Sequence, residues 1–213
     1  MENQQDWLEL TNKIFNQDQV KAEAIFVHGW DDLKDDMIKL VALHYEDSGA
    51  KMIVLNGHDE YEVGLKGFEY WKEQLENKFS IPQDVIHSIG EADHTYAEAK
   101  GFMQFAKENN IDSAIIISTP QHIIRAFLTN LATFKKNQVN TKLYPKTLNN
   151  CNWMEEIEIK ALASPPEVTT RLGRLSAEFA RILNYRQLAN SGDANYAMAS
   201  FKEGLDYLKQ LNV

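Results

Sequence analysis

Short apolar runs, each followed by a polar turn and then by a helical pattern, recur along the chain. Residues 24–27, 52–55 and 114–117 are continuously apolar, 84–89 is more polar, and 142–145 is a fifth candidate strand. Continuous apolar strands that alternate with helices indicate a parallel sheet covered on both faces. We therefore predict an α/β fold, a three-layer α/β/α Rossmann-like parallel sheet of about five strands, with the first strand between the second and the fourth.

Helical periodicity fills most of the remaining chain. It predicts an N-terminal helix around 7–15 and helices over 95–107, 166–185 and 194–211. A further helix starts at the Ser-Thr-Pro turn at 118–120, and its first turns carry Gln121, His122 and Arg125. Two more helices are expected: one is capped at its start by Asp31 and Asp32 and ended by Gly49, and the other is stopped by Pro82. The stretch 153–159 fits either a strand or a helix. We expect residues 1–160 to form the Rossmann-like domain and 161–213 a C-terminal helical extension packed on it.

Composition narrows the classes of partner. The chain has 213 residues and a net charge of -9, which argues against nucleic-acid binding. No run approaches the roughly 18 apolar residues that span a membrane, and the N-terminus lacks the basic and apolar regions of a signal peptide. The single cysteine, Cys151, fits a reducing compartment. These features predict a cytoplasmic protein that binds neither membrane nor nucleic acid.

Polar residues follow the apolar strands, where ligands of parallel α/β sheets bind. We predict a ligand site there, with Arg125 binding an anion, His122 acting as acid or base, and Glu98 orienting Arg125 or His122. His122 and Glu98 are the candidate catalytic residues. The candidate ligand-binding residues are His28, Gly29, Asn56, Gly57, His58, Thr95, Ser118, Thr119, Gln121 and Arg125.

Each of these patterns has a simpler alternative. Thr95 and Glu98 have the spacing of a helix capping box, with Asp93 and His94 as other possible caps. Gly29 and Gly57 fit turns as well as a close approach to a ligand. The Rossmann glycine fingerprint, the Walker loop and the nucleophile elbow are all missing. The strand-exit histidines lack close metal-ligand spacing, so no metal is expected, although a metal site remains an alternative.

At residues 119–126 the sequence Thr-Pro-Gln-His-Ile-Ile-Arg-Ala resembles the YdcF-like family of domains of unknown function, which includes SanA and ElyC. Upstream, Thr-Tyr-Ala-Glu-Ala at 95–99 is similar to the family's helix start. The resemblance covers roughly residues 22–145 and departs at the strand exits, where the family is richer in glycine. It implies a three-layer domain without a settled reaction and a nucleotide-type ligand, with S-adenosylmethionine among the candidates.

Three functions stay open at this point. The leading hypothesis is a domain that binds a small anionic, nucleotide-type metabolite, with hydrolysis or group transfer as its chemistry. The second is a non-catalytic binding or regulatory module, since apolar helices at both termini leave room for a homodimer. The third is a metal-dependent hydrolase that uses His28, His58 and His122.

Overall fold

The computed structural model describes residues 3–28, 33–58, 67–161 and 164–213. Within these ranges the strands are β1 (Ala24–His28), β2 (Met52–Leu55), β3 (Ile86–Ser88), β4 (Ser113–Ser118), β5 (Lys142–Lys146), β6 (Glu156–Ala161) and β7 (Ser164–Thr170). The α-helices there are α1 (Gln4–Phe15), α2 (Lys34–Ser48), α3 (Phe68–Phe79), α4 (Thr95–Glu108), α5 (Ile123–Lys136), α6 (Arg171–Asn190) and α7 (Phe201–Gln210). None of these helices is long and apolar enough to cross a membrane.

The first five strands form one parallel sheet in the order β3-β2-β1-β4-β5. This confirms the predicted three-layer α/β fold and the central position of β1. The sequence order changes direction between β1 and β4, so the carboxyl ends of these two strands open a crevice at the sheet edge. His28 and Ser118 are directly paired there, in the last register position of the two strands.

Alternate strand residues feed two separate cores, because side chains along a strand point to opposite faces. Phe26 and Ile116 face α4, α5, α6 and α7, and the Phe26 ring stacks on Phe102 of α4 at 4.3 Å. Ile25 and Ile115 face the opposite layer, which contains α2 and α3. Both faces of the central strands are therefore buried, as their continuous apolar sequences predict.

Two predicted helix ends can be compared with the structure. Gly49 ends α2 in the left-handed conformation with φ of 77°, as predicted. The capping box at Thr95 was wrong, because Thr95 is the first helical residue and His94 caps α4 by accepting a hydrogen bond from the Ala97 amide at 3.2 Å. The Thr95 hydroxyl therefore does not cap its own helix and instead contacts residues at the start of α5. The proposed caps Asp31 and Asp32 lie outside the described residues.

The C-terminal region differs most from the prediction. The ambiguous stretch is a strand, β6, which pairs antiparallel with β7. Because 164–170 belong to this hairpin, α6 begins at Arg171 and not at Pro166. The last helix begins at Phe201 instead of 194, where Ser200 and Glu203 form a capping box. Both helices contribute to the core that contains Phe26.

Candidate functional site

The starts of α4 and α5 meet beside the end of β4. Arg125, in the first turn of α5, donates from Nη1 to Thr95 Oγ1 at 2.8 Å. His122, the residue before α5, places Nε2 3.5 Å from the same oxygen. The structure thus brings together three residues that the sequence predicted as neighbours. We call them the Thr95–His122–Arg125 corner.

A fourth group, Glu178 of α6, completes this corner. Arg125 Nε donates to Glu178 Oε2, and His122 Nδ1 lies 3.7 Å from that oxygen. The other carboxylate oxygen, Oε1, accepts a hydrogen bond from Arg181 at 2.9 Å and lies 3.6 Å from Arg174 Nη2. The Glu178 side chain is only 1% exposed. Three guanidinium groups therefore surround one buried carboxylate.

The electrostatics of Glu178 follow from these neighbours. Burial by itself raises its pKa, but the charge of Arg125 and the contacts with His122 hold that pKa well below its usual range. Glu178 is therefore ionised at neutral pH. The spacing of Arg174, Glu178 and Arg181 predicts pairing along one helix face. This spacing does not indicate that the helix lies over Arg125. For that reason the sequence alone did not assign Glu178 to the site.

His122 has an unusual environment for a surface-edge histidine. Burial, followed by the nearby charge of Arg125, lowers its pKa from 6.5 to about 4, and the contacts with Glu178 only partly oppose this. The imidazole is therefore neutral at pH 7. A neutral imidazole has one nitrogen lone pair that accepts a proton, so His122 is suited to act as a base towards a group placed beside Thr95.

A second, fully buried polar chain lies beneath the corner. Glu98 accepts from His28 Nδ1 at 2.9 Å and from the Asn56 amide at 3.3 Å. On the far side of the imidazole, Asn130 Nδ2 lies 2.5 Å from His28 Nε2 and also donates to the Ala126 carbonyl at 2.9 Å. Since the Asn130 nitrogen is a donor, His28 Nε2 accepts and Nδ1 carries the proton.

This chain gives Glu98 a different position from the predicted one. Burial by itself raises the pKa of Glu98, but the contact with His28, together with His122 and Asn56, lowers it below its usual value. Its carboxylate binds His28 and Asn56, while Glu178 is the carboxylate that contacts Arg125 and His122. Sequence reasoning also missed Asn130, because a single asparagine within an apolar helix has no distinguishing pattern.

The residues at the β4 exit stabilise the turn itself. Ser118 Oγ donates to the His28 carbonyl at 2.8 Å, and the Ser118 carbonyl accepts from Thr147 at 2.7 Å. The Thr119 carbonyl accepts from the His122 amide at 2.9 Å. Ser118, Thr119 and Gln121 are all buried. These contacts fix where His122 and Arg125 leave the sheet edge.

The exit of β2 contributes Asn56, Gly57 and His58. A Cβ on Gly57 would lie 2.8 Å from the Gly90 carbonyl carbon, and the Gly57 amide donates to the Gly90 oxygen at 2.8 Å. Glycine is thus required by an approach to the protein's own backbone. His58 Nε2 lies 3.0 Å from Asp93 Oδ1. Gly29, also predicted as a ligand contact, lies outside the described residues.

The three predicted strand-exit histidines do not assemble into a metal-binding group. Among the residues that the structure describes, no three or more His, Cys, Asp or Glu side chains are arranged to hold a metal ion. His28 is engaged by Glu98 and Asn130, whereas His58 lies beside Asp93. The ring centroids of His28 and His122 are 6.4 Å apart.

Comparison of the sequence with models of known protein families found no match, and comparison with curated proteins found no significant match. The resemblance to the YdcF-like family therefore stays a prediction that depends on the motifs at 95–99 and 119–126.

Proposed function

We propose that the chain binds a small anionic metabolite of the nucleotide type at the Thr95–His122–Arg125 corner, with His122 as the acid or base of a hydrolysis or group transfer. One observation carries the proposal: the Arg125 guanidinium and the neutral His122 imidazole each place a nitrogen within 3.5 Å of the Thr95 hydroxyl oxygen. The corner lies at the carboxyl edge of the sheet, where ligands of this fold class bind. S-adenosylmethionine, suggested by the YdcF-like resemblance, is one candidate ligand.

The charge around the corner supports an anionic ligand. Arg125 and Arg181 both contact Glu178, so two positive guanidinium groups share one negative carboxylate and the cluster has a net positive charge. Their side chains are 14% and 37% exposed, respectively, which leaves part of each accessible to a ligand. A guanidinium binds phosphate and carboxylate groups through paired hydrogen bonds, so we expect the ligand's anionic group beside Arg125.

The position of His122 supports a chemical role. Its Nε2 atom faces the Thr95 hydroxyl, and its pKa of about 4 keeps the ring neutral at physiological pH. A ligand-bound water or hydroxyl beside Thr95 could therefore pass its proton to His122 during hydrolysis or transfer. Glu178, 3.7 Å from Nδ1, would stabilise the imidazolium that forms.

The experiment compares binding of pyrophosphate, AMP and S-adenosylmethionine by thermal shift and calorimetry. We expect Arg125→Ala to weaken binding of the ligand that stabilises the wild type by roughly 10- to 100-fold, the value of a charged hydrogen-bonding group. Arg186→Ala is the matched control, because Arg186 pairs with Glu203 away from the corner. Circular dichroism checks that both variants are folded. Equal binding by Arg125→Ala and wild type contradicts the proposal.

A non-catalytic binding module is the second candidate. It is favoured by the hydrogen bond from Arg125 Nε to Glu178, because a carboxylate of α6 already occupies this donor. A ligand that shares or displaces this carboxylate would act on α6 directly, as a regulatory ligand does. Prolonged incubation with each bound ligand distinguishes the two: product formation supports the enzyme, and stable binding without product supports the module.

A further inference from the structure

A pocket lies at the carboxyl end of β5, and its lining contains no residue of the corner. It has a volume of about 250 Å³ and lies between the end of α1, the α2 helix and the segment that follows β5. Its polar lining includes Gln17, His44 and Lys146, and its apolar lining consists of Ile14, Leu40 and Leu148. None of these residues was assigned a role from the sequence.

Lys146 is the charged group of this pocket. It is only 6% exposed, and its ammonium donates to the backbone carbonyls of Gln17, at 3.3 Å, and Asp18. An ammonium has three N–H groups, so these two bonds leave one donor. The nearby carboxylates Asp18 and Asp47 are exposed, and neither forms an ion pair with Lys146 in the described part of the chain. The pocket therefore contains a buried positive charge whose direct hydrogen bonds are to backbone carbonyls, while the exposed Asp18 carboxylate offsets that charge only from outside hydrogen-bond contact.

The Gln17 amide is the second polar group. Its Oε1 and Nε2 atoms are both buried, and neither has a hydrogen-bond partner among the described residues. Leaving a buried amide group without a partner costs about 1–3 kcal/mol, so such groups are rare in native proteins. An amide that lines a pocket beside a buried ammonium is therefore suited to a ligand that satisfies both.

His44 adds no charge to this pocket. Burial, and next the charge of Lys146, lowers its pKa to about 4, while Asp47 opposes this only in part. Lys146 itself has its pKa lowered to about 8 by burial, so it stays mainly protonated at neutral pH. At pH 7 the only charged group of the lining is thus the Lys146 ammonium, beside a neutral imidazole, four side-chain amides, the Thr147 hydroxyl and three aliphatic side chains.

We propose that this pocket binds a small monocarboxylate with an apolar body. The two carboxylate oxygens would accept from the remaining Lys146 N–H and from Gln17 Nε2, and the hydrocarbon part would contact Ile14, Leu40 and Leu148. A single ammonium matches one negative charge better than a phosphate dianion, which guanidinium clusters bind through several donors. The volume restricts the ligand to a few carbons beyond the carboxylate. The proposal is independent of the function assigned to the corner.

Hexanoate is a suitable probe, measured by calorimetry and ligand-observed NMR against its neutral analogue hexanamide. We expect hexanoate to bind the wild type at least about tenfold more tightly than hexanamide, since charged hydrogen bonds contribute about 1.5–3 kcal/mol. Lys146→Met should lose this difference. Lys142→Met is the matched control, because Lys142 is an exposed residue on the same strand. The proposal is overturned if the wild type shows no detectable hexanoate binding, or if Lys146→Met binds hexanoate as tightly as the wild type.

Gln17→Met provides a test that does not depend on the folding of Lys146→Met. Removing an amide without partners should leave the melting temperature unchanged or raise it, because no hydrogen bond of that side chain is lost. The same variant should bind hexanoate several-fold more weakly than the wild type. A Gln17→Met protein that binds hexanoate as tightly as the wild type would falsify the assignment.

Discussion

Glu178 connects the C-terminal helices to the corner through charge. Its buried carboxylate contacts Arg125, and it also contacts His122 and Arg181. Burying an ion pair costs desolvation energy, which is recovered only when the hydrogen bonds are complete. Here Arg125 and Arg181 each donate to a different oxygen of the carboxylate. Removing the negative charge would leave the guanidinium groups facing each other across a neutral amide.

Glu178→Gln tests the contribution of this charge to stability. We expect a loss of about 3 kcal/mol in the free energy of unfolding, because breaking one side of a buried ion pair leaves uncompensated charge. Urea denaturation measures the change. Asp206→Asn is the control, since Asp206 pairs with Lys202 on the surface and its removal should leave stability unchanged. A Glu178→Gln protein as stable as the wild type would show that solvent already screens the cluster.

At the scale of elements, α4 and α5 each contribute to both polar layers. One turn separates Thr95 from Glu98 on α4, so the first reaches the corner while the second reaches His28 below it. On α5, Arg125 reaches the corner and Asn130 reaches His28 below it. The relative position of these two helices therefore sets the geometry of both layers at once. Substitutions that shift either helix should therefore change the geometry of the corner even where the substituted residue does not contact the corner.

The packing of α7 on α5 and α1 depends on Gly204. A Cβ placed there would lie 2.6 Å from Leu128 Cδ2 and 3.3 Å from atoms of Leu10 and Phe127. We expect Gly204→Val to destabilise the protein by about 1–3 kcal/mol, because added carbon overpacks a close helix contact. Thermal unfolding measures this. Gly192→Val is unsuitable as a control because Gly192 has a φ of 88°, so Gly204→Ala provides the graded comparison. Gly204→Val at wild-type stability would contradict the close packing.

Local patterns were sufficient to predict the sheet but not the full site. The strands and their order follow from apolar runs such as 114–117, because a continuously apolar strand is stable only when both of its faces are buried. The convergence of Thr95, His122 and Arg125 follows from that order. Glu178 and Asn130 were missed because their partners are 53 and 102 residues away along the chain, respectively, beyond any local pattern. The β6–β7 hairpin was missed because the stretch 153–159 fits both periodicities.

At the scale of the whole molecule, buried ionisable groups are distributed over both faces of the sheet. Glu98 of α4 and Glu178, which contacts Arg125 of α5, lie on one side, whereas His44 and Lys146 line the pocket at the carboxyl end of β5. The carboxylates are held ionised and the imidazoles of His122 and His44 are held neutral. Protonation opposes the folded state in every one of these cases. Their effects on stability should therefore all act in the same direction as the pH falls.

The stability of the protein should decline below about pH 6.5, before carboxylates titrate. His122 and His44 have pKa values lowered from 6.5 to about 4, so the unfolded chain binds more protons between those values and is favoured by acid. Each imidazole contributes up to about 3 kcal/mol over this interval. Below about pH 4.5 the lowered pKa values of Glu98 and Glu178 extend the decline, because unfolded carboxyl groups take up protons first.

Urea denaturation across this pH range measures the decline, with His44→Gln as the informative variant. Removing one of the two titrating imidazoles should make the free energy of unfolding fall less steeply between about pH 6.5 and 4. The further loss of stability that the carboxylates cause at lower pH should remain. Between pH 7 and the isoelectric point near 5.2 the net charge of -9 falls towards zero, so reduced self-repulsion acts in the opposite direction and cannot cause the decline in that part of the range. A free energy of unfolding that stays constant from about pH 7 to 5 would mean that His44 and His122 are protonated in the folded protein without cost.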